Sequence, residues 1–185
     1  MTDVERSAGA AFDNAAPHLP AADPRRTMTG TMGKRYRPNV AAIIRRADGC
    51  VLLGQRSDFP ESWQFPQGGI DRGETPEDAI RREVLEEVGI AAEAYELGAK
   101  RGPYRYDFPA GPDRRGFHGQ EQWYFLCDLQ GAQTPEPDLA RTCGEFAAVR
   151  WVAIGEFPLE RVPPMKVNVY REVLRDFFGR IQFSR

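Results

Sequence analysis

The sequence predicts an α+β or α/β sandwich in which helices cover a mixed sheet. Short apolar runs bounded by turn signals alternate with two segments of helical periodicity. The chain has 185 residues, of which 41% are hydrophobic, enough for one packed domain and some extra sequence. A net charge of −2 excludes a globally basic nucleic-acid binder. Three widely spaced cysteines indicate neither a disulfide framework nor a CxxC metal site.

Residues 1–35 are rich in Ala, Pro, Gly and Thr and show no sustained periodicity, which predicts a flexible tail. Residues 36–185 then form the predicted domain. The acidic N-terminus lacks the hydrophobic segment of a signal peptide, and no apolar run is long enough to span a membrane. We therefore expect a soluble, cytoplasmic protein with no membrane partner. The sequence leaves the oligomeric state open.

The first two strands are predicted at the apolar runs 40–44 and 50–54, because Asp48–Gly49 between them is a hairpin signal. A strand over 95–106 is expected to be interrupted at Gly102–Pro103. Other strands are predicted at 63–65, 122–129 and 146–152. A final helix, at about 165–179, repeats apolar side chains at helical spacing, which is typical of core packing.

The stretch 68–90 reads as a glycine-rich loop followed by a helix. Thr75 is a suitable N-cap, Pro76 suits the first helical position, and Gly89 can end the helix with a left-handed cap. The loop over 67–73 carries three glycines, which allow sharp turns and a close approach of the backbone to a ligand. Apolar residues, Leu85 among them, are expected to face the sheet.

Three carboxylates share one side of this helix. Glu83, Glu86 and Glu87 lie at i, i+3 and i+4, a spacing of like charges that destabilises a helix by about a few tenths of a kcal/mol. A cluster without matching cations suggests that metal ions supply the positive charge, and oxygen donors favour Mg²⁺ or Mn²⁺. The alternative is a solvated acidic face paired with Arg81 and Arg82. The glycine loop and caps favour a metal site that presents a phosphorylated substrate to water.

The same stretch resembles the signature of the Nudix hydrolases, which cleave nucleoside diphosphates linked to another group. The family pattern is Gly, five residues, Glu, seven residues, Arg-Glu-apolar-any-Glu-Glu-any-Gly-apolar. The resemblance implies the Nudix fold, an α/β/α sandwich with a central mixed sheet, over about residues 36–180. The chain matches the pattern without departure at Gly68, Glu74, Arg82, Glu83, Val84, Glu86, Glu87, Gly89 and Ile90.

The resemblance also implies roles for individual residues. Arg82 would orient a catalytic carboxylate. Glu145 matches a distal glutamate that binds metal or serves as base, so the general base stays open between Glu86 and Glu145. More than one Mg²⁺ ion is implied, with Mn²⁺ as a possible substitute. The implied metal ligands are the carboxylates of Glu83, Glu86, Glu87 and Glu145 and the carbonyl of Gly68.

Residues outside the signature resemble one subgroup, the RNA pyrophosphohydrolases and the dinucleoside polyphosphate hydrolases. In that subgroup Arg37, Arg56 and Lys166 would contact the phosphate chain, and Tyr106 would lie near phosphate or base. Met165 stands where the RNA enzymes often carry a phenylalanine that stacks on the first base. The loop from Arg56 to Trp63 looks one residue longer than in the RNA enzymes.

The implied activity is Mg²⁺-dependent hydrolysis of phosphoanhydride bonds. The first expectation is an RNA 5′ pyrophosphohydrolase that removes pyrophosphate from 5′-triphosphorylated RNA and leaves a 5′-monophosphate. The alternative is a dinucleoside polyphosphate hydrolase that converts diadenosine tetraphosphate to ATP and AMP. A third possibility is a non-catalytic nucleotide-binding domain, which the intact signature disfavours. Arg114 and Arg115 are interpreted as solvated loop charges.

Overall fold

A mixed sheet of seven strands lies between two helices. The computed structural model describes residues 33–131 and 135–179. Residues 1–32 of the predicted tail therefore lie outside the described residues. Lys34, the second described residue, forms an ion pair with Asp107.

Most predicted elements are confirmed, including the hairpin and both helices. The segment Gln67–Gly69, which we expected to be loop, is instead a short strand, because its backbone pairs with β1. The strands are β1 Tyr36–Arg45, β2 Val51–Arg56, β3 Trp63–Gln64, β4 Gln67–Gly69, β5 Tyr95–Asp107, β6 Gly119–Leu129 and β7 Phe146–Val152. The helices are α1 Pro76–Val88 and α2 Val167–Phe178, and a 3₁₀ turn, Pro164–Lys166, leads into α2.

The strand order is β3-β2-β1-β6-β5, with β4 also paired to β1 and β7 to β2. β1 and β6 run parallel, in register from Tyr36 opposite Gly119 to Arg45 opposite Asp128. The other pairings are antiparallel. The fold class is therefore α/β, with a central mixed sheet as expected.

The alternation of side chains along β1 divides the core into two layers. Val40, Ala42 and Ile44 pack in the layer that contains α1, whereas Ala41 and Ile43 pack in the layer that contains α2. Both helices therefore cover β1, one on each face. The helical contributions to the two layers are Ala79, Ile80, Val84 and Val88 from α1, and Val169, Tyr170, Val173 and Leu174 from α2.

The expected orientation of Leu85 is wrong, because Leu85 does not face the sheet and is 52% exposed. β5 is a single strand, and its pairing with β6 shifts register between Arg101 and Tyr104, where the interruption was expected. The proline is tolerated because β5 is an edge strand, where it need not donate to a neighbour. Cys50 is half-buried and Cys127 is buried.

The capping residues of α1 act as predicted. The Thr75 hydroxyl accepts a hydrogen bond from the Asp78 N–H at 3.1 Å. Gly89 adopts a left-handed conformation, with φ of 70°, and its N–H donates to the Leu85 carbonyl. These two caps fix where α1 begins and ends. No helix in the described ranges is long and apolar enough to cross a membrane.

Val84→Ala should lower the free energy of unfolding by about 2 kcal/mol, because Val84 is fully buried between α1 and the sheet. The neighbouring change Leu85→Ala should alter it by less than about 0.5 kcal/mol, since Leu85 is largely in water. Urea denaturation of the two variants measures both values. Equal losses would contradict the observed orientation of α1.

Candidate active site

The carboxylates of Glu83 and Glu87 are buried, although they belong to a surface helix. These residues are only 8% and 2% exposed, whereas the side chain of Glu86 is 50% exposed. Burial raises the pKa of Glu83 above its ordinary value, and it raises the pKa of Glu87 further. The spacing of the three glutamates therefore produces two buried carboxylates and one at the surface.

Strand β4 provides the surface on which these carboxylates lie. The Gln67 N–H donates a 2.8 Å hydrogen bond to Glu87 Oε2. The Glu83 carboxylate rests so close to the α-carbon of Gly68 that a Cβ at that position would overlap it. Residue 68 must therefore be glycine for Glu83 to take this position.

Arg82 holds the exposed edge of the carboxylate cluster. Its guanidinium donates to both oxygens of Glu74 at 2.9 Å, to Glu83 at 2.7 Å and to Glu86 at 3.2 Å. The Arg82 hydrogen bonds lower the pKa of Glu74. The expectation that the cluster lacks matching cations is wrong for Glu83 and Glu86, because Arg82 contacts both. Glu74, which the sequence identifies as a signature position, is the residue that fixes this arginine.

Glu145 approaches the buried pair from the loop that precedes β7. Its backbone carbonyl accepts from the Ser57 N–H at 2.9 Å, which holds the loop against the end of β2. Its carboxylate lies 3.6 Å from the Arg56 guanidinium. The negative charge of Glu145 also contributes to the raised pKa values of Glu83 and Glu87. Glu145 is therefore brought to the same site from a distant part of the chain.

The donor set fits a divalent cation. Two buried carboxylates face each other's negative charge and that of Glu145, and Arg82 contacts only one of the buried pair. In the described part of the chain, no three His, Cys, Asp or Glu side chains are close enough to enclose a metal ion by themselves. Carboxylate oxygens such as those of Glu83 and Glu87 suit Mg²⁺, which usually takes a few carboxylates and completes its shell with water and substrate oxygens.

A pocket of about 320 Å³ is lined by Gln67, whose N–H binds Glu87, and by four of the predicted substrate-binding residues, Arg56, Tyr106, Met165 and Lys166. The rim carries two exposed apolar side chains, Phe59 and Met165. The Tyr106 ring is buried in its wall, and the hydroxyl donates to Gln120 Oε1 at 2.7 Å. The lining residues are Arg56, Phe59, Ser62, Gln67, Tyr106, Phe108, Gln120, Pro163, Pro164, Met165 and Lys166.

Lys166 is buried at the base of this pocket. Its ammonium donates to Gln64 Oε1 at 2.9 Å and to Gln67 Oε1 at 2.8 Å, and lies 5.5 Å from the centre of the Tyr106 ring. Burial, together with the positive charge of Arg56, lowers the pKa of Lys166 to about 7. The three polar and aromatic partners leave the ammonium in a fixed position.

Gln67 joins the two halves of the site, and sequence reasoning missed it. Its backbone N–H holds Glu87, while its side-chain oxygen accepts from Lys166 and from Gln122 Nε2. The sequence feature that could have identified Gln67 is its position next to Gly68 in the signature. Arg37 lies against the other face of β4, where its guanidinium would overlap a Cβ at residue 69. The structure thus places Gly68, Glu83, Glu87 and Arg37 at β4. It places Arg56, Tyr106, Met165 and Lys166 at the pocket. Arg82 contacts Gly69 and the exposed Glu86, and Glu145 lies beside Arg56.

Comparisons with known proteins place the chain among relatives of similar length. A family model described as NUDIX domain matches residues 35–177. The RNA pyrophosphohydrolase of Helicobacter pylori is 42% identical over 151 residues, which cover 78% of this chain and 94% of the relative. The RNA pyrophosphohydrolase of Caulobacter vibrioides is 41% identical over 160 residues, which cover 82% of this chain and 91% of the relative.

Two solved structures share the fold. The E. coli dihydroneopterin triphosphate pyrophosphohydrolase superposes with a TM-score of 0.56 at 23% identity, covering 78% of this chain and 97% of that one. A C. elegans Ap4A hydrolase binary complex gives a TM-score of 0.57 at 20% identity, covering 78% and 99%. At these identities the likeness shows the fold alone.

Gly68→Ala should weaken Mg²⁺ binding by about tenfold or more, because the new methyl group would displace the Glu83 carboxylate. Titration calorimetry measures the affinity. The control is Gly155→Ala, where a Cβ would meet nothing within 4 Å. Unchanged Mg²⁺ affinity in Gly68→Ala would contradict a metal-binding role for Glu83.

Lys166→Met should flatten the pH dependence of stability of the metal-free protein. Folding lowers the pKa of Lys166 from an ordinary 10.5 to about 7, so between these values the unfolded chain holds the extra proton. This group therefore makes the free energy of unfolding rise with pH across that window. The variant should lose that rise. Urea denaturation in chelator at about pH 7.5 and about pH 9.5 compares the two proteins, and parallel profiles would contradict the burial of a titrating lysine.

Proposed function

Because the chain belongs to the Nudix family, we propose that it is an RNA pyrophosphohydrolase that converts 5′-triphosphorylated RNA to 5′-monophosphorylated RNA and pyrophosphate. The family is one of hydrolases that act on acid anhydrides, so the non-catalytic alternative is set aside. The observation that carries the proposal is that Gln67 connects the buried carboxylate of Glu87 to a pocket lined by Arg56 and Lys166. Relatives named RNA pyrophosphohydrolase, at 41–42% identity over most of both chains, support the RNA assignment.

The proposed cofactor is Mg²⁺, in more than one ion and replaceable by Mn²⁺, since Nudix hydrolases generally use divalent metal ions. When bound, Mg²⁺ neutralises phosphate charge and lowers the pKa of a coordinated water. Glu83 and Glu87 would form the buried part of the ligand set, with the Gly68 carbonyl beside them. Glu86 and Glu145 would add their carboxylates from the exposed side.

The cationic residues would hold and orient the phosphate chain. Arg56 is kept in place by Asp58, which accepts its Nε–H at 2.8 Å and an Nη2–H at 2.6 Å. Lys166 presents its ammonium from the base of the same pocket. Fixed donors at both positions would hold the phosphate chain so that water can attack a phosphorus atom opposite the leaving anhydride oxygen, which is the positioning effect that raises the rate. Arg37 would bind phosphate on the β4 side.

Proton removal from the attacking water would fall to a carboxylate that can face solvent. Glu86 and Glu145 meet this condition, with side chains 50% and 35% exposed, whereas Glu83 and Glu87 are buried. Both are therefore proposed as catalytic. Arg82, anchored by Glu74, would hold the Glu86 and Glu83 oxygens in their positions.

A second candidate function is hydrolysis of dinucleoside polyphosphates. The apolar rim of the pocket favours it, because Phe59 and Met165 expose enough apolar surface to cover a second base. The same phosphate-binding residues would serve either substrate. RNA as substrate would place the activity in the cytoplasm.

Glu86→Gln should reduce kcat for pyrophosphate release from 5′-triphosphorylated RNA by about 10²–10⁴-fold, because it removes a carboxylate that orients or deprotonates water. Glu77→Gln is the matched control, since Glu77 lies on the same helix and pairs with Lys100 at the surface. Single-turnover assays at saturating Mg²⁺ measure the chemical step. Equal activity of the two variants would rule out a catalytic Glu86.

A competition assay decides between the two substrate classes. The protein with Mg²⁺ is offered 5′-triphosphorylated RNA and diadenosine tetraphosphate at equal concentration, and products are separated by chromatography. We expect the RNA to be consumed first, with its 5′ end left as a monophosphate. Preferential cleavage of the dinucleotide would replace the first proposal with the second.

A further inference from the structure

The loop between β5 and β6 is a self-supported turn with arginines at its tip. The Asp113 N–H donates to the Phe117 carbonyl at 2.8 Å, and the Gly116 N–H donates to the Asp113 carbonyl at 2.9 Å. The Asp113 carboxylate accepts the N–H groups of Arg115 and Phe117, both at 2.9 Å. The one acidic side chain in the turn, Asp113, binds the backbone and forms no ion pair with the arginines, whose two positive charges outnumber its single negative charge.

Arg35, Arg114 and Arg115 are exposed and together form what we call the arginine surface. The Arg35 guanidinium lies 5.0 Å above the centre of the Phe117 ring, which brings it to the turn that carries the other two. Within residues 33–131 and 135–179, none of the three forms an ion pair.

The acidic residues on the strands that flank this loop are paired with other groups. Asp107 is bound by Lys34 and by the Tyr36 hydroxyl, and Glu121 is bound by Arg105. Asp113 remains beside the arginine surface, and its single negative charge offsets one of the three positive charges. In a chain with a net charge of −2, this is a local concentration of available positive charge.

The arginine surface is continuous with the wall of the substrate pocket. The His118 N–H donates to the Arg35 carbonyl at 2.7 Å, and the His118 carbonyl accepts from the Phe108 N–H at 2.8 Å. Phe108 and Gln120, at the two ends of the same loop, both line the pocket. A strand that leaves the pocket on this side would pass from Phe108 directly onto the arginines.

We propose that the arginine surface binds the backbone phosphates of single-stranded RNA downstream of the nucleotide held in the pocket. The inference rests on the proposed RNA pyrophosphohydrolase function. Guanidinium groups pair with phosphate oxygens through two parallel hydrogen bonds, so three exposed arginines suit a polyanionic strand. A dinucleoside polyphosphate has no downstream backbone phosphates. The arginine surface would therefore add affinity for RNA over a dinucleoside polyphosphate, which the pocket alone cannot provide.

The test compares Arg114→Ala/Arg115→Ala with Arg171→Ala/Arg175→Ala, which removes the same charge from the exposed face of α2. Each protein is assayed on 5′-triphosphorylated RNA of about two and about twenty nucleotides and on diadenosine tetraphosphate. Two lost phosphate contacts should raise KM for the longer RNA about tenfold and leave kcat unchanged. The slope of log kcat/KM against log salt should become shallower by about 1.4. The two short substrates and the α2 variant should behave as the wild type does.

Other outcomes overturn the proposal. An equal loss on all three substrates would show that the loop shapes the pocket, and an unchanged KM for the longer RNA would show that it binds no strand. An equal rise in KM for the α2 variant would show that the effect comes from the change in net charge and not from the arginine surface. Fluorescence anisotropy with a 5′-monophosphorylated RNA of about twenty nucleotides measures RNA binding to the arginine surface without turnover. If triphosphorylated RNA is not cleaved by the wild type, the proposed function fails, and unchanged anisotropy in the loop variant separately refutes the arginine surface.

Discussion

Two carboxylates of α1 are buried against the backbone of β4, and ionising them there costs free energy. A buried carboxylate loses hydration that hydrogen bonds and opposite charges must replace. Glu83 is partly compensated by Arg82, whereas Glu87 receives one backbone N–H and feels the charge of Glu145. These contacts replace the lost hydration only in part, and the pKa values of both groups are therefore raised. A bound divalent cation would relieve this cost, so the burial that raises the pKa of both carboxylates would also favour metal binding.

The sheet makes this burial possible through β4, which lies between β1 and α1. β4 pairs with β1 at Asn39, Val40 and Ala41, and Gly68 leaves room for the Glu83 carboxylate. A side chain on residue 68 would force the glutamate outward, where water would hydrate it and the metal affinity would fall. The caps of α1 complete the arrangement, because they set where the helix begins and ends.

Local sequence signals predicted the helix and its carboxylate spacing. The orientation of the helix and the formation of β4 depend on contacts with distant parts of the chain. Thr75, Pro76 and Gly89 act within one or two turns, so their effects can be read from the sequence. The exposure of Leu85 could not, because helical periodicity allows several orientations until the sheet selects one. The same holds for β4, since three residues rich in glycine form a strand only when β1 offers a partner.

In the candidate site too, some residues can be predicted from local sequence and others depend on distant contacts. The signature gave Glu83, Glu86, Glu87 and Arg82, which are neighbours along one helix. The burial of Lys166 depends on Gln64 and Gln67, about 100 residues earlier in the chain, and no periodicity relates them. The anchoring of Arg82 by Glu74 crosses the turn between the loop and α1. Sequence patterns could therefore name the groups, while their exposure and partners required the fold.

Gln67 makes the two halves of the site interdependent. Its N–H orients Glu87 and its side chain orients Lys166, so a shift of β4 moves both. An anionic phosphate chain would favour the charged form of Lys166, and cations would favour the charged form of Glu87. Glu87 and Lys166 also attract each other once both are charged. Binding of metal and binding of polyphosphate should therefore each lower the cost of the other, and by linkage the coupling is the same in both directions.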